Sequence, residues 1–244
     1  MVAGVFDSGV GGLTVVKSLL EHNIFSKIVY FGDTARVPYG IRDKNTIIRY
    51  SLETVEFLKN FDVDILIPAC NTISAYAIDD IEKSSKKPVV GVIESGVEAL
   101  KKIGISTQSR ISVIATTATI RSNQYQYLLE KEGFSDIKAK ATPLFVPLVE
   151  EGVYGGELLD TVMREYFAEF TDVEAMILGC THFPLLSDSI KRYFGEIALV
   201  HPGEAIVEYL KREYSLRERY THTELDLFAS SNPSHLREVA REWL

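Results

Sequence analysis

Cysteine is scarce in this chain, with two residues among 244, Cys70 and Cys180. That is too few for a disulfide framework, and the spacing lacks the paired C-x-x-C pattern of structural zinc, so no metal site is expected. Long apolar runs are also missing: none approaches the roughly 18 residues that a membrane span requires. Basic charge is in deficit, with 26 Lys and Arg against 34 Asp and Glu and a net charge of −8. A phosphate-backbone partner needs clustered cations, so no nucleic acid partner is expected. No basic segment precedes the first apolar run, which Asp7 interrupts, so a secretory signal is not expected. A reducing cytoplasm is the expected setting, where a pair of thiols is more often catalytic than bridged.

Apolar residues, by contrast, are plentiful at 46%, with 25% charged, enough to bury a core without staples. The length suits one large domain or two small ones, and two small lobes is the preferred reading. Short runs rich in Val, Ile and Leu alternate with amphipathic stretches. The runs are residues 2–7, 27–32, 64–70, 88–93, 110–116, 137–142, 175–180 and 197–201. Unbroken apolar runs separated by helical patterns predict parallel strands covered on both faces. Helical spacing predicts helices over residues 13–20, after Asn45, and over 157–170. The expected fold is α/β, with two similar lobes, each a parallel-rich sheet flanked by helices, and an active site in the cleft between them. Residues 1–93 with 206–244 are expected to form the first lobe, and 94–205 the second.

A weak internal echo supports two lobes. In the first half, one strand leads into Asp7-Ser8 and a later one into Cys70-Asn71-Thr72. In the second half, one leads into Thr116-Thr117-Ala118-Thr119 and a later one into Cys180-Thr181-His182. Ligands of open parallel sheets gather outside the carboxyl ends of the strands, where all these residues are predicted to lie. The loop Asp7-Ser8-Gly9-Val10-Gly11-Gly12 does not match the dinucleotide fingerprint. It suits an anion or carboxylate site first, then a plain strand-to-helix turn, with nucleotide binding the last of three readings. Asp33 to Gly40 forms a second loop that either presents amides to a ligand or is a structural crossover, with Arg36 pairing locally and Tyr39 packed.

Either cysteine alone reads as a small buried hydrophobe. Together, each at a strand end with polar residues behind it, they suit proton transfer through a planar intermediate. One thiolate removes a proton from one face while the opposite thiol delivers another. His182, two residues past Cys180, either helps hold that thiol ionised or is a turn histidine. Glu150-Glu151 either lines a cleft or is a solvated charge pair. Two other readings remain open: an enzyme acting on aspartate or another small carboxylate, and a nonenzymatic anion-binding or metal-binding protein.

D-S-G-V-G-G at 7–12, D-T-A-R-V-P-Y-G at 33–40, A-C-N-T at 69–72 and G-C-T-H-F-P-L at 179–185, in this order and spacing, resemble the glutamate racemases of the aspartate/glutamate racemase superfamily. The resemblance covers nearly the whole chain. It implies a cofactor-independent interconversion of L- and D-glutamate that supplies D-glutamate for peptidoglycan, carried out between two α/β lobes by a protein that is commonly a homodimer. By the family pattern, Cys70 and Cys180 are the acid/base residues, Cys70 acting on D-glutamate and Cys180 on L-glutamate. Asp7 and His182 match assisting groups in contact with substrate. Ser8, Tyr39, Gly40, Asn71, Thr72 and Thr181 match substrate-binding positions, with Thr116, Thr119 and Glu150 as secondary candidates. Ile73, Ala115 and Pro202 depart from the family's usual residues.

Overall fold

The computed structural model describes residues 1–217 and 220–244. Among these, eight strands run in chain order: β1 (Val2–Asp7), β2 (Lys27–Gly32), β3 (Ile65–Pro68), β4 (Arg110–Ala115), β5 (Asp136–Ala141), β6 (Ala175–Gly179), β7 (Ala198–Val200) and β8 (Glu224–Ala229). They form two four-stranded sheets, β3-β1-β2-β8 and β5-β4-β6-β7, in which every pairing is parallel. Parallel neighbours need crossover connections, and helices on the sheet faces supply them. β1, β2, β3, β4 and β6 are buried almost throughout, whereas the edge strands β5 and β8 are half-buried.

The apolar run at 88–93 does not become a strand. It makes one parallel bridge, Leu66 with Val89, closed by Leu66 N–H donating to Pro88 O and Val90 N–H to Leu66 O, both at 2.9 Å. The helix Val92–Lys102 then begins, because Ile93, Val97 and Leu100 recur at helical spacing and bury one face. β8 falls outside the expected runs: Glu224-Leu225-Asp226-Leu227 alternates charge with apolar side chains. It lies parallel to β2, where Lys27 Nζ reaches Glu224 at 2.9 Å and Asp226 at 2.7 Å. The helix predicted over 157–170 is Glu157–Phe167.

The echo read in the sequence corresponds to an echo in strand order. β3-β1-β2 in one sheet matches β6-β4-β5 in the other, and the bridge at Val89 lies beside β3 as β7 lies beside β6. Each cysteine-bearing strand end thus neighbours the strand that ends in Asp7 or leads into Thr116. A continuous buried cluster joins the sheets, running from Val5 and Ile67 to Phe145, Leu178 and Phe183.

Candidate active site

Cys70 follows the end of β3 in extended conformation and occupies the N-cap position of the short helix Asn71–Tyr76. Its Sγ lies 3.7 Å from Ser8 Oγ. Burial, with the Asp7 carboxylate close by, pushes the Cys70 thiol up to about 12, against the opposing pull of the Ile73 N–H and Ser8. Cys70 therefore keeps its proton at neutral pH. Asp7, 1% exposed, is itself raised by burial, while His182 and hydrogen bonds from Gly9, Gly12 and Thr181 act to keep it charged. Its Oδ2 accepts from Gly9 N–H at 2.9 Å, and its Oδ1 from the Thr181 hydroxyl at 3.3 Å.

Cys180 follows β6 and precedes a single 3₁₀ turn, Phe183–Leu186, whose cap is His182. The imidazole lies between two acceptors, Cys180 Sγ at 3.8 Å from Nδ1 and Glu150 Oε1 at 3.2 Å from Nε2. Burial alone would lower its pKa, but hydrogen bonding to the Cys180 sulfur and to Glu150 outweighs that, and His182 rises to about 10. An imidazolium here donates one N–H to each neighbour, the Cys180 sulfur and the Glu150 carboxylate. The two halves thus differ: one thiol is held protonated beside a carboxylate, the other is paired with a cation.

Cys70 and Cys180 open onto the same cavity, lined also by Ser8, Tyr39, Gly40, Asn71, Thr72, Thr116, Thr181 and His182. The lining draws on loops of both sheets, and the space water can enter is about 20 Å3, room for roughly one water molecule. A larger open depression of about 660 Å3 lies elsewhere, among Ser74, Asp79, Glu94 and Tyr127. It contains neither thiol nor histidine, so chemistry selects the smaller cavity. Three expected residues stand behind the lining: Asp7 under Thr181, Glu150 behind His182, and Thr119 behind Thr72. The hydroxyls of Thr72, Thr116 and Thr119 form a closed ring with separations of 3.0–3.1 Å. Tyr39 is among the lining residues, and its hydroxyl donates to Asp33. Arg36 Nε pairs with the same carboxylate at 2.6 Å, so the 33–40 loop is braced internally while it borders the cavity.

Known proteins resemble this chain along its whole length. The family model described as Asp/Glu/Hydantoin racemase matches residues 14–210. The chain belongs to this family. A protein named glutamate racemase from a Nitratiruptor species is 58% identical over 245 residues, covering 100% of this chain and 96% of that one. The crystal structure of glutamate racemase from Campylobacter jejuni superposes with a TM-score of 0.98 at 49% identity, covering 100% of this chain and 98% of that chain. The Francisella tularensis glutamate racemase, solved in complex with D-glutamate, superposes at 0.87 with 36% identity over 99% of this chain and 92% of that one.

Within this racemase framework, sequence reasoning missed residues whose importance is one of contact. Tyr125 donates to Asn71 Oδ1 at 2.6 Å, yet nothing around it in the sequence marks it. Gly11 packs so closely on Thr181 and His182 that no side chain fits. The glycine-rich loop hinted at such an approach but did not identify what it approaches. Val37, Pro38 and Val146 supply apolar parts of the lining.

Proposed function

We propose that the chain is a cofactor-independent racemase that interconverts L- and D-glutamate by two-thiol acid/base chemistry. The observation that carries this reading is that both cysteines open onto one cavity with unlike neighbours, Ser8 beside Cys70 and the His182 imidazole beside Cys180. In the direction from L-glutamate, the Cys180 thiolate takes the Cα proton and becomes a thiol. The electron pair left on Cα spreads into the adjacent carboxylate, and Cys70 delivers its proton to the opposite face and becomes a thiolate. The reverse direction begins with Cys70 as base, so each turnover exchanges the protonation states of the two sulfurs.

A carbanion beside a carboxylate needs donors aimed at the charge that develops. Ser8, Asn71, Thr72, Thr116 and Thr181 provide hydroxyl or amide N–H groups around the cavity, while Asp7 holds Thr181 and Thr119 holds Thr72 and Thr116 from behind, and Glu150 holds His182 beside Cys180. The relatives named glutamate racemase, one of them solved with D-glutamate, support glutamate as the substrate. Because the cavity has room for about one water, admitting a five-carbon dicarboxylate requires the two lobes, 1–93 with 206–244 and 94–205, to part and close again. Closure then excludes water from the carbanion. The same reading places the protein in the cytoplasm as a homodimer, supplying D-glutamate for peptidoglycan. Among the described residues no helix is long and apolar enough to cross a membrane.

The test follows circular dichroism from each enantiomer in turn, and incorporation of deuterium at Cα in deuterated water. Cys70→Ala and Cys180→Ala are each expected to abolish racemisation, while the parent labels its product. Unlabelled product, or normal turnover by either variant, would overturn the two-thiol mechanism. Turnover of aspartate alone would overturn the substrate.

A further inference from the structure

Asn71 is 2% exposed, and its two amide atoms have unlike surroundings. Oδ1 accepts from the Tyr125 hydroxyl at 2.6 Å, whereas Nδ2 has no partner among the described residues. Asn71 also lines the cavity between the thiols. A buried amide N–H left unpaired is costly, so this donor is placed for something that enters the cavity. An amide that can turn over presents either an acceptor or a donor. Here the phenol removes the choice, because its proton has the Asn71 carbonyl as its acceptor, and a flipped amide would leave that proton unbound.

Tyr125 itself does not line the cavity. It extends from the helix Gln124–Lys131 and is 1% exposed. A Cβ on Gly179, the residue before Cys180, would come within 3.1 Å of its ring. The side chain therefore lies beneath both cysteine loops, bonded to the residue after Cys70 and packed on the residue before Cys180. We propose that Tyr125 is a positioning residue, whose hydroxyl locks the Asn71 carboxamide with its N–H groups facing the cavity and so makes position 71 a receptor for a carboxylate oxygen of the substrate. This rests on the substrate-binding role given above to Asn71.

The discriminating variant is Tyr125→Phe, which keeps the ring and deletes one atom. Loss of the lock is expected to raise KM for both glutamate enantiomers roughly 3- to 10-fold, with kcat changed less than about twofold. Asn71→Ala is expected to raise KM at least as much, and the double variant to match Asn71→Ala, since Tyr125 acts through Asn71. A merely structural role would lower thermal stability and the active fraction while KM stayed put. That result, or additive effects in the double variant, would overturn the proposal. Should Asn71→Ala leave KM unchanged, the substrate role of Asn71 fails, and that failure is distinguishable because it appears without any change at Tyr125. A measurement on the unaltered protein guards against a variant that does not fold. The side-chain amide resonance of Asn71, assigned in the parent by its through-space contacts to the Tyr125 ring, is expected to shift on saturation with glutamate. An unmoved resonance would overturn the proposal.

Discussion

Gly11 lies where the two halves of the site meet, and replacing it with alanine tests that contact directly. A Cβ at this position would stand 2.5 Å from the His182 ring and also overlap the Thr181 hydroxyl. A methyl group ordinarily keeps about 3.5 Å from a neighbouring heavy atom, so the loops must separate by roughly 1 Å. Neither obstacle is the free end of a flexible chain. Thr181 is tied through its hydroxyl to Asp7 and through its carbonyl to the Thr14 hydroxyl at 2.8 Å, and His182 is held between Cys180 and Glu150. The strain therefore passes to Cys180 itself. Overpacking of this kind costs about 1–3 kcal/mol of stability, and 1 Å of misplacement at reacting groups costs about 100-fold in rate, or about 2.7 kcal/mol in the barrier. Gly11→Ala should accordingly lose about two orders of magnitude in kcat in both directions, with Tm lowered by roughly 2–12 °C. Circular dichroism supplies both readings, the racemisation rate and the melting curve. A Gly11→Ala protein with parental kcat and Tm would refute the close approach between these loops.

Glu150→Gln removes the carboxylate on His182 Nε2, so the pKa raised to about 10 should fall. Because Glu150 is partly exposed, the alkaline limb of the kcat/KM profile is expected to move down by about one pH unit, and an unmoved limb would remove Glu150 from the site's electrostatics. The sign for stability follows from the same group: a folded pKa above the unfolded value of about 6.5 stabilises fully below pH 6.5, and that stabilisation fades as the pH rises through 10. Urea midpoints compared between pH 6 and pH 10.5 should show a loss in the parent that His182→Gln lacks. Asp33→Asn breaks a fully buried carboxylate held by Arg36, Tyr39 and Ser230. It should cost about 3 kcal/mol, with equilibrium unfolding as the check. Gly96→Ala offers the opposite outcome, since its Cβ would meet nothing closer than 3.5 Å within the helix Val92–Lys102. It should stabilise by about 0.5–1 kcal/mol without altering kcat, and a fall in Tm would show that the packing there is tighter than described.

The parallel sheets were legible because strands covered on both faces must be apolar at nearly every position, as β1, β3, β4 and β6 are. The two departures have the same physical origin. Residues 88–93 are as apolar as a buried strand, but their spacing also suits a helix face, and packing chose the helix from Val92 onward. β8 lies at a sheet edge, where alternating charge is tolerated and two carboxylates find Lys27 across the register, so the run of apolar residues that marked the others is missing. Tyr39 shows the same ambiguity at the site: its loop reads either as binding or as structural, and the residue borders the cavity while its hydroxyl braces Asp33.

Sequence alone determined that the two cysteines and their polar neighbours stand at strand ends, because strand periodicity and turn residues are local properties of the chain. What surrounds those residues was decided by tertiary structure. Cys70 and Cys180 open onto one cavity because strands β3 and β6 hold equivalent places in two sheets that pack together. Tyr125 reaches Asn71 across 54 positions, and Thr181 reaches Asp7 across 174. Contacts at such separations follow from how helices and sheets dock, which no local pattern encodes, and they decide what surrounds each thiol and which way an amide points.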